Sequence, residues 1–387
     1  MKRTIKFILL TAFITASAPC FSQKPQPVYS FVRQIHDFDW YEAQAKAWKR
    51  EIDNGTTNPM AWVYWNEANR MGAFFGSPEK WNNGIRAHFV SEETILKSAE
   101  TNIPNTFEYY YLKTKSTWGM RKENDEKDFE YYLFKAQEIR PYDNLIIDFL
   151  LNYYLLKNDK ANIKLVCKKW YENNEIPQDI LATLYNMLIS LDKNSVLLVN
   201  GDNTTYSAWV LQQAKNIRPD VLVLNLSFTC GIEGYRTAIF KENGIKPLTG
   251  NEISGQKLFN HLIENLKNRP LYVSAFEGEE MFKEYRDKMY FTGLAFKYSP
   301  KPFNNLAVLR DNMENKFLLD FLKQNFHNSY AQSAVNQMNK GYLSGFLQLY
   351  RHYKQTGEKD KAKKIKELAT TVAQNSEVTE WLNYFEK

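Results

Sequence analysis

The residues best able to do chemistry are gathered in one short stretch. Asn200, Gly201, Asp202, Asn203 and Thr204 follow an apolar tetrad, Val196 to Val199, and Asn225 and Ser227 follow a second, Val221 to Leu224. A carboxylate, amides and hydroxyls placed together can hold a small polar ligand such as a sugar, exchanging hydrogen bonds with its hydroxyls. The same residue types also favour turns and helix caps. Gly201 permits a positive φ, and Asp202, Asn203 or Thr204 can accept the free N–H groups that begin a helix. Two readings follow, a ligand held at a helix N-terminus or a strand-to-helix turn that satisfies itself.

The elements that must position these residues can be read from their neighbours. Each tetrad is a short continuous apolar run with β-branched content, which suits a strand buried on both faces. Tyr206, Trp209, Val210 and Gln213 recur at spacings of three and four, the mark of a helix between the strands. Arg218-Pro219-Asp220 is expected to stop it, because a residue before proline avoids the helical region. Two strands joined by one helix of this length should be parallel, with a right-handed crossover. Ligands in open α/β sheets sit beyond the carboxyl ends of the strands. The polar cluster falls at those ends.

Further along, Lys257 to Leu266 reads as a helix, Leu271 to Ser274 as a third strand and Met289 to Tyr298 as a fourth. Glu277, Glu279 and Glu280 follow the third strand. They could supply the second carboxylate of an acid/base pair with Asp202, as could Glu233, or form a solvated loop. His36-Asp37-Phe38-Asp39 is the one short cluster of metal-ligand types, but zinc needs three or four converging ligands and none are in view. Asp37 or Asp39 is better read as a helix cap. Neither a metal set, a cofactor motif nor a complete catalytic set can be assembled, and on that count the chain is expected to be non-enzymatic.

The net charge of +6 is spread along 387 residues, so a nucleic-acid role has no electrostatic footprint. Lys2, Arg3 and Lys6 precede a compact apolar segment, Phe7 to Ala18, with small residues after it. Residues 1–22 are therefore expected to be a signal peptide and the mature chain to be periplasmic or secreted, with outer-membrane association left open. Cys20 lacks the leucine expected of a lipid-attachment motif and follows a proline. Cys167 and Cys230 have no CxxC spacing, and whether they pair is left open. No later segment is long and apolar enough for a membrane helix.

Residues 23–190 are helical in pattern. Asp39 to Ile52 and Met60 to Phe75 read as a hairpin, and Leu151 to Ala161 carries a helix, an Asn158-Asp159 turn and the start of another. These stretches, with Leu349, Tyr350, Tyr353, Gly357 and Ala362 near the end, resemble degenerate tetratricopeptide repeats, in which Asn158 replaces a left-handed glycine. The resemblance implies stacked hairpins and a groove for a peptide or partner protein. Glu314 to Phe326, Ser333 to Gln355 and Asp360 to Gln374 read as C-terminal helices. The expected fold is α+β, mostly α. Helical hairpins in 23–190 and 311–387 would flank a small parallel, Rossmann-like α/β unit at 191–310.

Asn200-Gly201-Asp202-Asn203-Thr204-Thr205-Tyr206, Trp209, Leu211-Gln212, Ile217 to Val221, Asn225-Leu226-Ser227 and Tyr290 to Phe296 resemble the soluble C-terminal region of Bacteroidota membrane glycosyltransferases of the protein-O-mannosyltransferase-like kind. The likeness covers roughly 180–310. It departs at Thr204, where the family pattern is acidic. The transferase chemistry of that family is expected in its membrane domain, so the resemblance implies a soluble accessory module. The functional expectation is an exported, non-enzymatic interaction or scaffold protein of the cell envelope that binds a protein partner or a glycan. The alternatives are a carbohydrate-active hydrolase or transferase using the Gly201-Asp202-Asn203 turn, or a component of an envelope secretion or motility machine.

Overall fold

The computed structural model describes residues 24–75, 89–119, 125–323 and 330–386. The expected signal peptide and Cys20 lie outside the described residues.

Residues 24–37 run as a strap without helix or strand. Asp37 then accepts from the Trp40 N–H at 2.8 Å and caps α1 (Phe38–Asp53), as the sequence suggested. Next come α2 (Met60–Phe75), α3 (Glu92–Asn102), α4 (Phe107–Thr117), α5 (Asp125–Ile139), α6 (Ile147–Leu156), α7 (Lys160–Glu172) and α8 (Gln178–Ser190). Helices α1 and α2 pack together, as do α4 with α5 and α6 with α7. Asn158 adopts the left-handed conformation, φ 54°, that lets the chain reverse between α6 and α7.

The α/β unit follows: β1 (Val196–Val199), α9 (Asp202–Lys215), β2 (Leu222–Asn225), α10 (Leu226–Gly231), α11 (Glu233–Glu242), α12 (Gly255–Asn265) and β3 (Leu271–Ser274). A hairpin of β4 (Met289–Phe291) and β5 (Ala295–Tyr298) completes a sheet ordered β2-β1-β3-β5-β4. β1 pairs in parallel with β2 and β3, while β5 runs antiparallel to β3 and β4. The sheet is therefore mixed, where the sequence suggested a parallel one. The single strand expected over Met289 to Tyr298 is two strands, because Gly293 at φ 130° turns the chain between them.

Successive β1 side chains point to opposite faces. Leu197 and Val199 join a large core with α9 and the flanking helices, while Val196 and Leu198 join a second core with α11 and α12. Helix α9 ends at Asn216, which takes a left-handed φ of 57°, so the stop precedes the expected Arg218-Pro219. Arg218 instead acts as a clamp. It donates to the carbonyls of Leu188, Leu191 and Asp192 and pairs with Asp220.

The C-terminal region holds α13 (Asn305–Asp311), a π-turn at Asn312–Lys316, a 3-10 turn at Asp320–Lys323, then α14 (Gln332–Lys340), α15 (Leu343–Thr356), α16 (Lys359–Asn375) and α17 (Asn383–Glu386). The helix expected from Glu314 is thus replaced by short turns over its described part. The one expected over Ser333 to Gln355 is broken at Gly341-Tyr342. A Cβ on Gly341 would fall 2.5 Å from the Phe276 ring, so this glycine lets α14 and α15 close on the end of β3. Among the described residues no helix is long and apolar enough to cross a membrane.

Candidate functional site

The turn after β1 depends on Gly201, at φ 74° and ψ 153°, a conformation that is nearly glycine-specific. Gly201 itself is the N-cap of α9, and no side chain caps the helix. This corrects the expectation that Asp202, Asn203 or Thr204 would do so. Thr204 reaches back to the Asn200 and Gly201 carbonyls. Asn203 donates to the Val32 carbonyl at 2.7 Å and accepts from Arg33 at 2.9 Å. Asn225 caps α10 through the Phe228 N–H and donates to Thr205 at 2.8 Å. Ser227 donates to the Asn200 side chain at 2.9 Å. Of the seven sequence candidates, Thr204 and Asn225 are committed to structural bonds, and Asn203 to the strap. Asn200, Gly201 and Ser227 stay exposed at the rim.

Asp202 differs from all of these. Among the described residues its carboxylate accepts no hydrogen bond. Its side is open to solvent, yet protein crowds it enough that burial raises its pKa, opposed by the charge of Arg33. Asp202 therefore sits at the surface with protein packed close on its inner side.

Strand order says where a sheet of this type is expected to take a ligand. The chain leaves β1 for β2 on one side, then crosses back to β3 on the other, so the reversal falls between β1 and β3. Sheets of this type open a crevice there, beyond the carboxyl ends of those two strands. The Asn200 N–H after β1 donates to Glu277 after β3 at 2.8 Å. Burial pushes the Glu277 carboxyl up to about 7, with the Asn200 bond acting against it. Glu279 and Glu280 are exposed and paired with Arg286 and Lys283, as a solvated loop should be. Glu233 accepts from the Gly250 N–H and does not join Glu277 in meeting this turn.

Helix α6 brings a second carboxylate to Asp202. Burial, and then the Asp202 charge, push Asp148 up to about 7. One turn on, Asn152 exchanges hydrogen bonds with the Tyr206 hydroxyl at 2.9 and 3.2 Å. Burial, then the charges of Asp202 and Asp148, raise the Tyr206 pKa. Glu175, from the α7–α8 turn, accepts from Trp170 at 2.8 Å and from Arg33 at 2.8 and 3.0 Å. Deeper among the helices, Glu67 pairs with Lys115 at 2.5 Å and Arg70 at 2.7 Å. Burial there works to raise the Glu67 pKa, but the two cations prevail and hold it down at about 2. Asp148 and Glu277 are thus raised while Glu67, paired with two cations, is depressed; environments that push carboxyl pKa values apart are what acid/base chemistry uses.

Sequence reasoning found Asp202 and weighed Glu277. It missed Asp148, Asn152, Glu175 and Arg33. Asp148 and Asn152 left a trace, because they stand four apart in the otherwise apolar and aromatic run Leu145 to Leu156 and so share a helix face. Arg33 and Glu175 left none.

Among the described residues no group of three or more His, Cys, Asp or Glu converges as a metal set. Cys167 and Cys230 are free thiols, the first in one core and the second against the other. A separate cleft of about 460 Å³ runs along the outer edge of β2, lined by Trp209, Gln212, Tyr235, Glu242 and Arg269 among others. Its polar groups are taken up internally: Glu242 pairs with Lys160, and Arg269 donates to the Asn194 and Ser195 carbonyls.

With this geometry in hand, the comparisons fall into place. The family described as TMEM260-associated domain 2, linked to a membrane glycosyltransferase-like protein, matches residues 180–231. That segment runs from α8 through β1, α9 and β2 to the end of α10, and so contains the Gly201 turn. No curated protein and no solved structure matches the chain at a significant level.

Proposed function

We propose that this chain is an exported, non-enzymatic interaction protein of the cell envelope, periplasmic or secreted, which holds a protein partner or a glycan at the carboxyl ends of β1 and β3. The observation that carries the reading is the state of Asp202. It stands at the switch point of the sheet, open to solvent and free of hydrogen bonds, while Thr204, Asn203 and Asn225 around it are satisfied. An acceptor left idle at such a place is available to a ligand's hydroxyl or N–H group. The helical pairs, read as tetratricopeptide-like, flank this site. The match at residues 180–231 supports kinship with a soluble part of glycosyltransferase-like proteins, here in a chain whose described helices do not span a membrane.

The test is a glycan array and an envelope-fraction pull-down with the full chain and with Asp202→Asn. Retained ligand on the unaltered chain, reduced at least tenfold by Asp202→Asn, supports the reading. Ligand capture that ignores the substitution, or none at all in either format, overturns it.

A carbohydrate-active hydrolase or transferase is the second reading. Asp148 favours it, as a carboxyl that keeps its proton near neutrality beside the Asp202 carboxylate. Turnover of glycosides by the full chain, abolished by Asp148→Asn, would select it over the first.

A further inference from the structure

The strap over residues 24–36 passes the first turn of α9, beside Asp202, where it meets Asn203. It has a turn at residues 31–33 but no helix or strand, and Val28 is its only buried residue. Its backbone is held by single bonds to several elements. The Gln26 N–H donates to Gln44 on α1 at 2.7 Å, and Trp48 donates to the Gln26 carbonyl at 2.8 Å. Asn203, on the first turn of α9, donates to the Val32 carbonyl at 2.7 Å. The Ala334 N–H, at the start of α14, donates to the Arg33 carbonyl at 3.4 Å.

One side chain carries the specificity. Arg33 engages Glu175 in a two-pronged pair and gives its remaining terminal nitrogen to Asn203. A planar guanidinium against a carboxylate and an amide is a recognition geometry, since both partners are read at once. Glu175 is braced for this by the Trp170 N–H at 2.8 Å. Tyr330 holds the Glu175 backbone carbonyl at 2.8 Å. The strap thus meets the body as a bound peptide would: an aliphatic residue buried against the core, backbone groups met singly and, after a turn, an arginine in a prepared fork.

We propose that residues 24–36 are a displaceable internal occupant of the surface around Glu175 and Asn203, and that the partner which replaces them is an extended protein segment presenting an arginine to both. This deepens the interaction-protein reading by naming the partner's chemistry. The strap's other ties are bonds of the Lys24 and Gln34 carbonyls and the His36 N–H to α1, and ring contacts of Tyr29, Phe31 and His36. With no helix or strand and one buried side chain, such a segment opens locally before the molecule unfolds globally. Its departure uncovers Glu175 and Asn203 together and leaves Asp202 without its nearest cation.

The test uses the full chain in two measurements. Native-state hydrogen exchange on the unaltered protein should show amides of residues 24–36 exchanging at least tenfold faster than those of α9. Exchange of the strap only through global unfolding overturns the proposal. In the second, a fluorescein-labelled synthetic peptide of residues 24–36 is titrated against the unaltered chain and against Arg33→Ala, whose strap is loosened. The variant should bind the peptide at least tenfold more tightly than the unaltered chain. A peptide with alanine in place of its arginine, or a Glu175→Gln change added to the variant, should lose that gain. Equal binding by both chains, or indifference to Glu175→Gln in a chain that keeps its circular dichroism and melting point, refutes it. Asp202-dependent glycan capture is scored separately, so failure of the strap and failure of the Asp202 site are told apart.

Discussion

Replacing Asp148 by asparagine tests the physics of the site most directly. The change keeps shape and removes the charge. In the folded chain the Asp148 carboxyl is pushed up to about 7 by burial and by Asp202, from an ordinary value of 3.8. Between those values the folded state holds a proton that the unfolded state releases, so stability must fall as pH rises through that interval. At about 1.36 kcal/mol per pH unit the full displacement corresponds to about 4 kcal/mol. Because Asp148 keeps partial access to solvent, about 2 kcal/mol is the expected share. Urea unfolding of both proteins at pH 5 and pH 8 measures it. The unaltered chain should be the less stable at pH 8. Asp148→Asn should recover about 2 kcal/mol there and less than half as much at pH 5, where only the first part of the interval above 3.8 has been crossed. Identical pH dependence in the two proteins would refute the assignment of Asp148 to a desolvated site facing Asp202.

Three further outcomes are expected. Glu67→Gln strips Lys115 and Arg70 of their shared buried partner and should cost about 3 kcal/mol in urea unfolding at pH 7. In the unaltered chain that contribution is present above pH 5 and should be lost as pH falls toward about 2, because the folded pKa is depressed. Gly201→Ala and Gly201→Asn should each cost about 1–3 kcal/mol, since φ 74° with ψ 153° suits neither residue although no atom lies within 4 Å of the added Cβ. A benign Asn there would show that the turn is an ordinary left-handed one. Gly341→Ala should cost about 1–3 kcal/mol by driving a methyl into the Phe276 ring, with loss of protection at the end of β3 on hydrogen exchange.

What the sequence made legible was local. The tetrads at Val196 and Val221 announced two parallel strands, and the spacing of Tyr206, Trp209 and Val210 announced the helix between them. Helix α2 begins and ends where its apolar pattern does. Asp37, one of the two acids offered as a cap, is the cap of α1, and Asn158 is the left-handed turn its residue type suggested. Errors arose where one glycine overrides a longer pattern, as Gly293 does in the β4–β5 hairpin and Gly341 between α14 and α15. The polar site was half legible. Asp202 and Glu277 sit beside strands that could be placed, and the rule for switch points brings them together. Arg33 meets Glu175 across 142 residues of chain, and nothing in either neighbourhood foretells the meeting. Caps cannot be settled by type either, since Asp202 has the chemistry of a cap and Gly201 has the position.

Strand β2 forms one margin of the sheet, and its outward carbonyls are already spoken for. Gln212 donates to the carbonyl of Val221, just before the strand, at 2.8 Å, and the Trp209 indole donates to that of Val223, within it, at 3.4 Å, both from the helix lying alongside. A bare margin of this kind invites other chains to zip on, the first step toward fibrils. Here any newcomer must evict an indole and an amide before its first rung can form. The matched segment thus carries its own safeguard against self-association, built from the same helix that holds Asp202 at its opposite end.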